Sequence, residues 1–372
     1  MNASVGLQAR GLIWIFKRKD KLEPVPATTM KPSAKHRGKP VLGVTAGDPA
    51  GIGPEIIAHF FSEFEPKRSI ALIIGSPNVI KIWADRYGLN CPIIDSPEEL
   101  AGINSKVPFS TYILNNGCRD KVPQGIHCRE GGQHAGSSIE LACQLARTGV
   151  IQAVVTAPIS KESLNLAGYP YSGHTEMLAD RFNSPDCQMM MVYNKFRVVP
   201  ATRHVPLLNV SEQITPNRLH SCLAVVHRSL KERFGINFPR IALSALNPHS
   251  GEGGVLGDEE IEIIVPAIER ARQDGIQVEG PFAADSLFQS YRDGRYDAFV
   301  TMYHDQGLIP FKMVAQKRGI NVTVGLPVIR TSVDHGVAFD IAGRGVASTA
   351  SLTAAYRLAE KIAARPPRAV LR

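Results

Sequence analysis

Three histidines, His204, His249 and His304, each follow a short apolar run, at 198–202, 241–245 and 298–302. A lone histidine in such a place is usually a satisfied structural residue. Three in equivalent places suit another chemistry: three imidazoles around one open position are a common donor set for a catalytic Zn²⁺ or similar divalent ion. Imidazole suits other transition ions too, so the spacing does not name the metal. A second group is cationic. Lys312 and Arg330 flank Asn321, and each adjoins an apolar run, 308–311 or 322–329. Charges placed there could hold a dianionic substrate, Arg chelating two oxygens and Lys acting as a point charge. His174 and Thr175, in Gly173-His-Thr-Glu176, precede a helical pattern at 177–182, where helix-start N–H groups suit a phosphate. An N-cap by Thr175 beside an exposed histidine is the competing reading. In the loop 247–254, three glycines let backbone approach a ligand, and Glu252 is either a candidate acid or a solvated carboxylate.

These residues need elements to hold them. Strands are expected at 41–44, 70–75, 151–156, 198–202, 241–245 and 298–302, with helices near 54–61, 80–87, 131–146, 216–234 and 258–274. Almost continuously apolar strands alternating with helices indicate an α/β chain with a parallel sheet covered on both faces. Polar motifs follow five of these strands, the three histidines together with 45–53 and 157–161. Ligands of open α/β sheets bind beyond the carboxyl ends of strands, so all five ends are expected at one rim. The turn 45–53 leads into Pro54 and Glu55, which suit a first helical turn. It reads either as an anion-facing turn or as a tight βα connection, since its spacing is not G-x-G-x-x-G.

At 372 residues the chain is long enough for about two domains. Its formal charge of +8 is not evidence for nucleic-acid binding. Residues 1–40 hold nine Lys and Arg against two acids, a balance of +7, which leaves about +1 for the rest. The body is nearly neutral, and the basic segment reads as a disordered, soluble extension. The run at 11–16 is followed, not preceded, by Lys17-Arg-Lys19, so it does not read as a secretory signal; Met30 is an alternative start. No stretch approaches about 18 apolar residues, so no membrane span is expected. The six cysteines form no C-x-x-C pair, the usage of a reducing, cytoplasmic compartment.

The motifs GDPAGIGPE (47–55), GHTE (173–176), RHVPL (203–207), NPHSGEGG (247–254), YHDQGLIPFK (303–312) and LPVIRTSVDHGVAFDIAG (326–343) resemble the 4-hydroxythreonine-4-phosphate dehydrogenase family of vitamin B6 synthesis. The resemblance covers about 41–365, in order. It implies the two-domain isocitrate/isopropylmalate dehydrogenase-like fold with a cleft between domains. Residues 41–166 plus 318–372 would form the first, cofactor-side domain, and 167–317 the second, metal- and dimer-side domain. It implies a homodimer whose active site is shared across the interface, with no nucleic-acid or membrane partner. Carried over by position, the divalent ion (Zn, Mg or Co) falls to His204, His249 and His304, contributed by both subunits. The phosphorylated substrate falls to His174, Thr175, Lys312, Asn321 and Arg330. The segment 335–343 resembles the adenosine loop HGxAxDIAG, so His335 and Asp340 would contact NAD or NADP. Two residues depart from the family pattern, Ser250 for an alanine and Val337 for a threonine.

The implied reaction is oxidation of the 3-hydroxyl of 4-phosphooxy-L-threonine, followed by loss of CO₂ to give 3-amino-2-oxopropyl phosphate. Lys312 is the candidate for proton transfer, with holding a substrate oxygen as the alternative. Asp285 and Asp305 are assigned on chemical grounds to orienting an imidazole or the substrate amine. The nearest rival is a D-threonate or D-erythronate 4-phosphate dehydrogenase of the same family. A phosphate acyltransferase on a related fold is a more distant rival, since it needs neither the histidines nor HGxAxDIAG.

Overall fold

The structure is a computed structural model that describes residues 39–97, 99 and 109–365. All but the last two residues of the expected basic extension lie outside them. Among these residues there are twelve strands: β1 (Val41–Thr45), β2 (Ile70–Gly75), β3 (Ile93–Ile94), β4 (Thr111–Asn115), β5 (Ala153–Thr156), β6 (Gln188–Tyr193), β7 (Phe196–Pro200), β8 (Arg240–Ser244), β9 (Gln277–Phe282), β10 (Ala298–Thr301), β11 (Ile320–Val324) and β12 (Ile329–Ser332). They form one sheet in the order β3-β4-β2-β1-β5-β12-β11-β6-β7-β10-β8-β9. The principal helices are α1 (Gly53–Glu63), α2 (Pro77–Tyr87), α3 (Arg129–Arg147), α4 (Lys161–Leu166), α5 (His174–Arg181), α6 (Val210–Gln213), α7 (Pro216–Glu232), α8 (Val265–Gln273), α9 (Ala284–Leu287), α10 (His304–Ala315) and α11 (Ala350–Ala363).

The sheet is mixed, which corrects the expectation of a single parallel sheet. β1 to β5 and β12 run parallel to one another, and so do β7 to β10. Between the two groups, β11 is antiparallel to both β12 and β6, and β6 is antiparallel to β7. The two parallel groups therefore point in opposite directions. The reversal comes from a hairpin in which Tyr193 faces Phe196, so Asn194 and Lys195 make the turn. Asn194 takes φ 53°, the left-handed region such two-residue turns require. Consequently the five strand ends do not share a rim. Thr45 and Thr156 end strands at one edge of the sheet, while β7, β8 and β10, which precede the three histidines, end at the other.

Side-chain alternation in the central strands determines where a ligand fits. In β11, Ile-Asn-Val-Thr-Val, successive residues face opposite sides. Val322 and Val324 join a core that runs under both halves, from Val44 and Val155 to Val199 and Val300. On the opposite face the core is split in two. One cluster contains Leu72, Val154, Met177 and Leu178, the other Met191, Phe196, Phe299 and Phe311. Between them runs a polar strip, with Asn321 in register with Ser332 and with Met191, and Thr323 in register with Arg330. No helix among the described residues is long and apolar enough to cross a membrane, and all six cysteines are free thiols.

Candidate functional site

Arg330 is the most informative side chain of the strip. It is 2% exposed, yet its guanidinium meets only hydroxyls: Nη1 donates to Thr323 Oγ1 at 3.0 Å and Nη2 to Thr156 Oγ1 at 2.8 Å. Its Nε is buried without a partner. Burial pulls its pKa down to about 10, against the opposing influence of Glu176 and Cys187. A buried cation with no ion pair carries a large desolvation cost, which an anion lying against the strip would offset.

Other groups with the same deficiency surround it. His174 opens α5, and its Nε2 is buried without a partner. Burial, then the Arg330 charge, holds this ring well below the usual histidine range, so it is neutral. The N-cap of α5 is Gly173 and no side chain caps the helix, so Thr175 is not a cap. That favours the phosphate reading of this motif. Asn321 Oδ1 and Arg203 Nη1 are also buried and unpartnered. Arg203 reaches the buried Cys187 thiol; burial raises that thiol's pKa, while Arg203 and Arg330 both oppose the rise. Arg203 and Glu176 were not singled out from sequence, although both stand inside the motifs quoted above.

The histidines divide unequally. The His204 and His304 rings lie 5.7 Å apart. Burial lowers the pKa of His204, as do the charges of Lys161 and His304. His249 stands apart from this pair, and among the described residues no group of three or more His, Cys, Asp or Glu is close enough to hold a metal ion. The donor chemistry nevertheless fits a divalent ion. His304 Nδ1 is 2.6 Å from Asp305 Oδ1, and His249 Nδ1 is 2.6 Å from Glu252 Oε1. Each carboxylate can only accept, so Nδ1 donates and Nε2 is left as the free lone pair, the orientation metal-ligating histidines adopt. Glu252 therefore has an imidazole partner and is not a freely solvated loop carboxylate. Asp285 is near enough to add to Glu252's effect in raising the pKa of His249.

The His249 loop is held in an unusual conformation. His249, Ser250 and Glu252 take φ of 51°, 57° and 43°, and Gly251, Gly253 and Gly254 are also left-handed. Such backbone costs roughly 1–2 kcal/mol for each non-glycine residue. Buried Glu260 restrains it: Oε1 accepts from the Leu246 and Asn247 N–H groups at 2.8 and 2.9 Å, and Asn247 Nδ2 donates to Oε2 at 2.9 Å. Replacing Glu260 with alanine would strand those donors and is expected to cost about 1–3 kcal/mol of stability by denaturant titration.

At the other end of the strip, Asp334 is half-buried. Burial raises its pKa, while the charges of Lys312, His335 and His304 lower it, so these groups converge on one carboxylate. Lys312, His335 and Asp340 are themselves exposed. The expected cofactor segment is seated on the turn 45–53. The Ile52 N–H donates to Val337 O at 3.0 Å, and a Cβ on Gly51 would lie 2.6 Å from that oxygen. Phe339 meets the His127 ring edge-on at 4.7 Å. The Asp48, Ala50, Gly51 and Ile52 N–H groups all have acceptors within the protein. The turn thus follows the tight-connection reading and not the anion-facing one.

Known proteins share this fold. Residues 67–359 match the family described as "Pyridoxal phosphate biosynthetic protein PdxA". A 4-hydroxythreonine-4-phosphate dehydrogenase of Desulforapulum autotrophicum is 42% identical over 322 residues, covering 86% of this chain and 95% of that one. A protein of Bradyrhizobium diazoefficiens, provisionally named a D-threonate 4-phosphate dehydrogenase, is 39% identical over 338 residues, covering 87% and 96%. The crystal structure of 4-hydroxythreonine-4-phosphate dehydrogenase from Klebsiella pneumoniae superposes with a TM-score of 0.79 at 36% identity, covering 88% of this chain and 99% of that chain. The fold is that of a dehydrogenase-type α/β protein. The chain belongs to the pyridoxal phosphate biosynthetic protein PdxA family.

Proposed function

We propose that this chain oxidises the 3-hydroxyl of 4-phosphooxy-L-threonine with NAD or NADP, and that the 3-oxo acid then loses CO₂ to give 3-amino-2-oxopropyl phosphate, in pyridoxine 5′-phosphate biosynthesis. The observation that carries the reading is Arg330, a buried and unpaired guanidinium on a polar strip that splits one face of the sheet. His174, Thr175, Asn321 and Lys312 complete the substrate-binding group, with Arg203 as an addition, and the phosphate provides binding energy remote from the reacting carbon.

His204, His249 and His304 would hold the divalent ion, Zn, Mg or Co. When bound it supplies Lewis acidity to the substrate oxygens. The chain's own groups do the rest. Bound NAD or NADP would accept the hydride from C3, and Lys312 Nζ would take the hydroxyl proton. Loss of CO₂ leaves its bonding pair on C2 as an enolate, and the Lys312 ammonium returns the proton to C2. Asp305 and Asp285 orient the imidazoles. The segment holding His335 and Asp340 binds the cofactor, and its seat on Gly51 makes a specific test available. Gly51→Val, which collides with Val337, is expected to raise KM for the cofactor by about tenfold, a loss of ~1.4 kcal/mol, and to leave the phosphorylated substrate's KM unchanged.

The domain division supported by the sheet falls between β11 and β6, giving 41–166 plus 318–372 and 167–317. The enzyme acts as a homodimer. Leu207, Leu208, Val255, Ile309 and Met313 are 59–92% exposed close in sequence to the three histidines, apolar surface that a second copy would cover. Such a copy would also bring a His249 to the His204–His304 pair. Free thiols and the absence of a membrane-crossing helix among the described residues support a cytoplasmic enzyme.

Absorbance at 340 nm with 4-phosphooxy-L-threonine and NAD or NADP tests this reading. Reduction that stops with a chelator and resumes with added divalent ion is expected. The Bradyrhizobium relative favours a second reading, oxidation of D-threonate 4-phosphate. A kcat/KM higher for D-threonate or D-erythronate 4-phosphate than for the amino substrate would replace the first reading with the second.

A further inference from the structure

Lys161 and Glu176 have no part in the reading above, yet their side chains converge on one glycine. A Cβ built on Gly173 would lie 3.5 Å from Glu176 Oε2 and 3.9 Å from Lys161 Cε. From this juxtaposition we propose that the two side chains hold the amino-acid head of the substrate, Lys161 the α-carboxylate and Glu176 the α-ammonium. The inference rests on the substrate reading above and extends it to two charged groups which that reading leaves without partners.

Each side chain is carried by an element that also serves a candidate residue. Lys161 opens α4 just beyond β5, whose last residue, Thr156, accepts from Arg330 Nη2 at 2.8 Å. Ser160 fixes that start, because its Oγ accepts from the Ser163 N–H at 3.0 Å. Glu176 stands in the first turn of α5 with His174 and Thr175. Both charges are felt at the candidate ligands. Burial is the main cause that lowers the pKa of His204; Lys161 adds to it, and Glu176 opposes it. Burial also lowers that of Arg330, again against Glu176. Even so, neither the Lys161 ammonium nor the Glu176 carboxylate has a hydrogen-bond or ion-pair partner among the described residues, and the two do not pair with each other.

Charge matching assigns the groups. An α-amino acid carries a carboxylate and an ammonium on one carbon, and each needs an opposite charge when water is removed. Burial raises the pKa of the Cys187 thiol and both Arg203 and Arg330 oppose it, which puts these two cations together on the phosphate side. Lys312 is committed to the proton. Lys161 is the cation left for the carboxylate, and its compact ammonium suits a single oxygen. A carboxylate can only accept, so Glu176 suits the three donors of an ammonium and repels any anion placed there.

Calorimetric titration of the full-length protein, with divalent ion and without nucleotide, separates the two groups. The ligands are 4-phosphooxy-L-threonine, D-threonate 4-phosphate (carboxylate without amine) and 3-amino-2-hydroxypropyl phosphate (amine without carboxylate). Lys161→Met is expected to weaken the first two by about tenfold and to leave the third unchanged. Glu176→Gln is expected to weaken the first and third by about as much and to leave the second unchanged or tighter. Both variants should keep the wild-type circular dichroism spectrum. A loss common to all three ligands in either variant, or no loss for any, would overturn the proposal. Wild-type protein that binds D-threonate 4-phosphate more tightly than 4-phosphooxy-L-threonine would instead overturn the substrate reading, and with it the role of Glu176, while the Lys161 comparison stands on its own.

Discussion

His304→Ala is expected to lower kcat by about a thousandfold or more while the protein stays folded. Lewis-acid catalysis supplies several kcal/mol, and each 1.36 kcal/mol is a factor of about ten in rate. The imidazole is suited to this work because its Nδ1–H donates to Asp305 Oδ1 at 2.6 Å and leaves Nε2 free; its ring lies 5.7 Å from that of His204. The side chain is 34% exposed, so its removal leaves no sealed cavity and little stability should be lost. The direct readout is metal content: the variant should retain far less divalent ion after dialysis than the wild type, with an unchanged circular dichroism spectrum. Wild-type turnover with a full complement of metal would remove His304 from the site.

Arg330→Met should separate binding from stability. KM for the phosphorylated substrate is expected to rise by roughly tenfold to a hundredfold, the ~1.4–2.8 kcal/mol that a charge-assisted hydrogen bond to an anion contributes. The ligand-free protein should melt at the same temperature or higher. Arg330 is buried with two hydroxyl partners and an orphaned Nε, so the charge has been desolvated without an ion pair. Replacing such a charge with an apolar chain of similar length is commonly neutral or stabilising. A large drop in melting temperature with KM unchanged would mean that Arg330 is structural.

The strands around Ile70–Gly75, Arg240–Ser244 and Ala298–Thr301 were legible because each is a continuous apolar run bounded by turn residues. Their directions were not. The reversal depends on β6, Gln-Met-Met-Met-Val-Tyr, a strand whose unbranched methionines resemble a helix segment as much as a strand. Without that hairpin, five polar strand ends pointed to one rim; with it, they fall at opposite ends, and Asn321, Thr323 and Arg330 form a strip on the face of the sheet instead. The motifs holding the candidate residues were all visible. What could not be read was which buried atoms lack partners. Arg203 and Glu176 acquire their importance only from their distance to Arg330 and His204, which no spacing encodes. The pairing of His249 with Glu252 depends on a left-handed backbone that glycines permit but do not announce.

The separation of His249 from the other two histidines makes the central claim testable: that one site is completed by two chains. His249→Ala and His304→Ala proteins, each inactive alone, can be unfolded together, refolded and assayed at 340 nm. In a two-fold dimer half of the random pairs are hybrids, and each hybrid has one intact site, so about a quarter of wild-type activity should return. No recovery beyond that of the separate variants, in a mixture shown to contain hybrid dimers, would contradict a shared site and place all three histidines in one chain's centre.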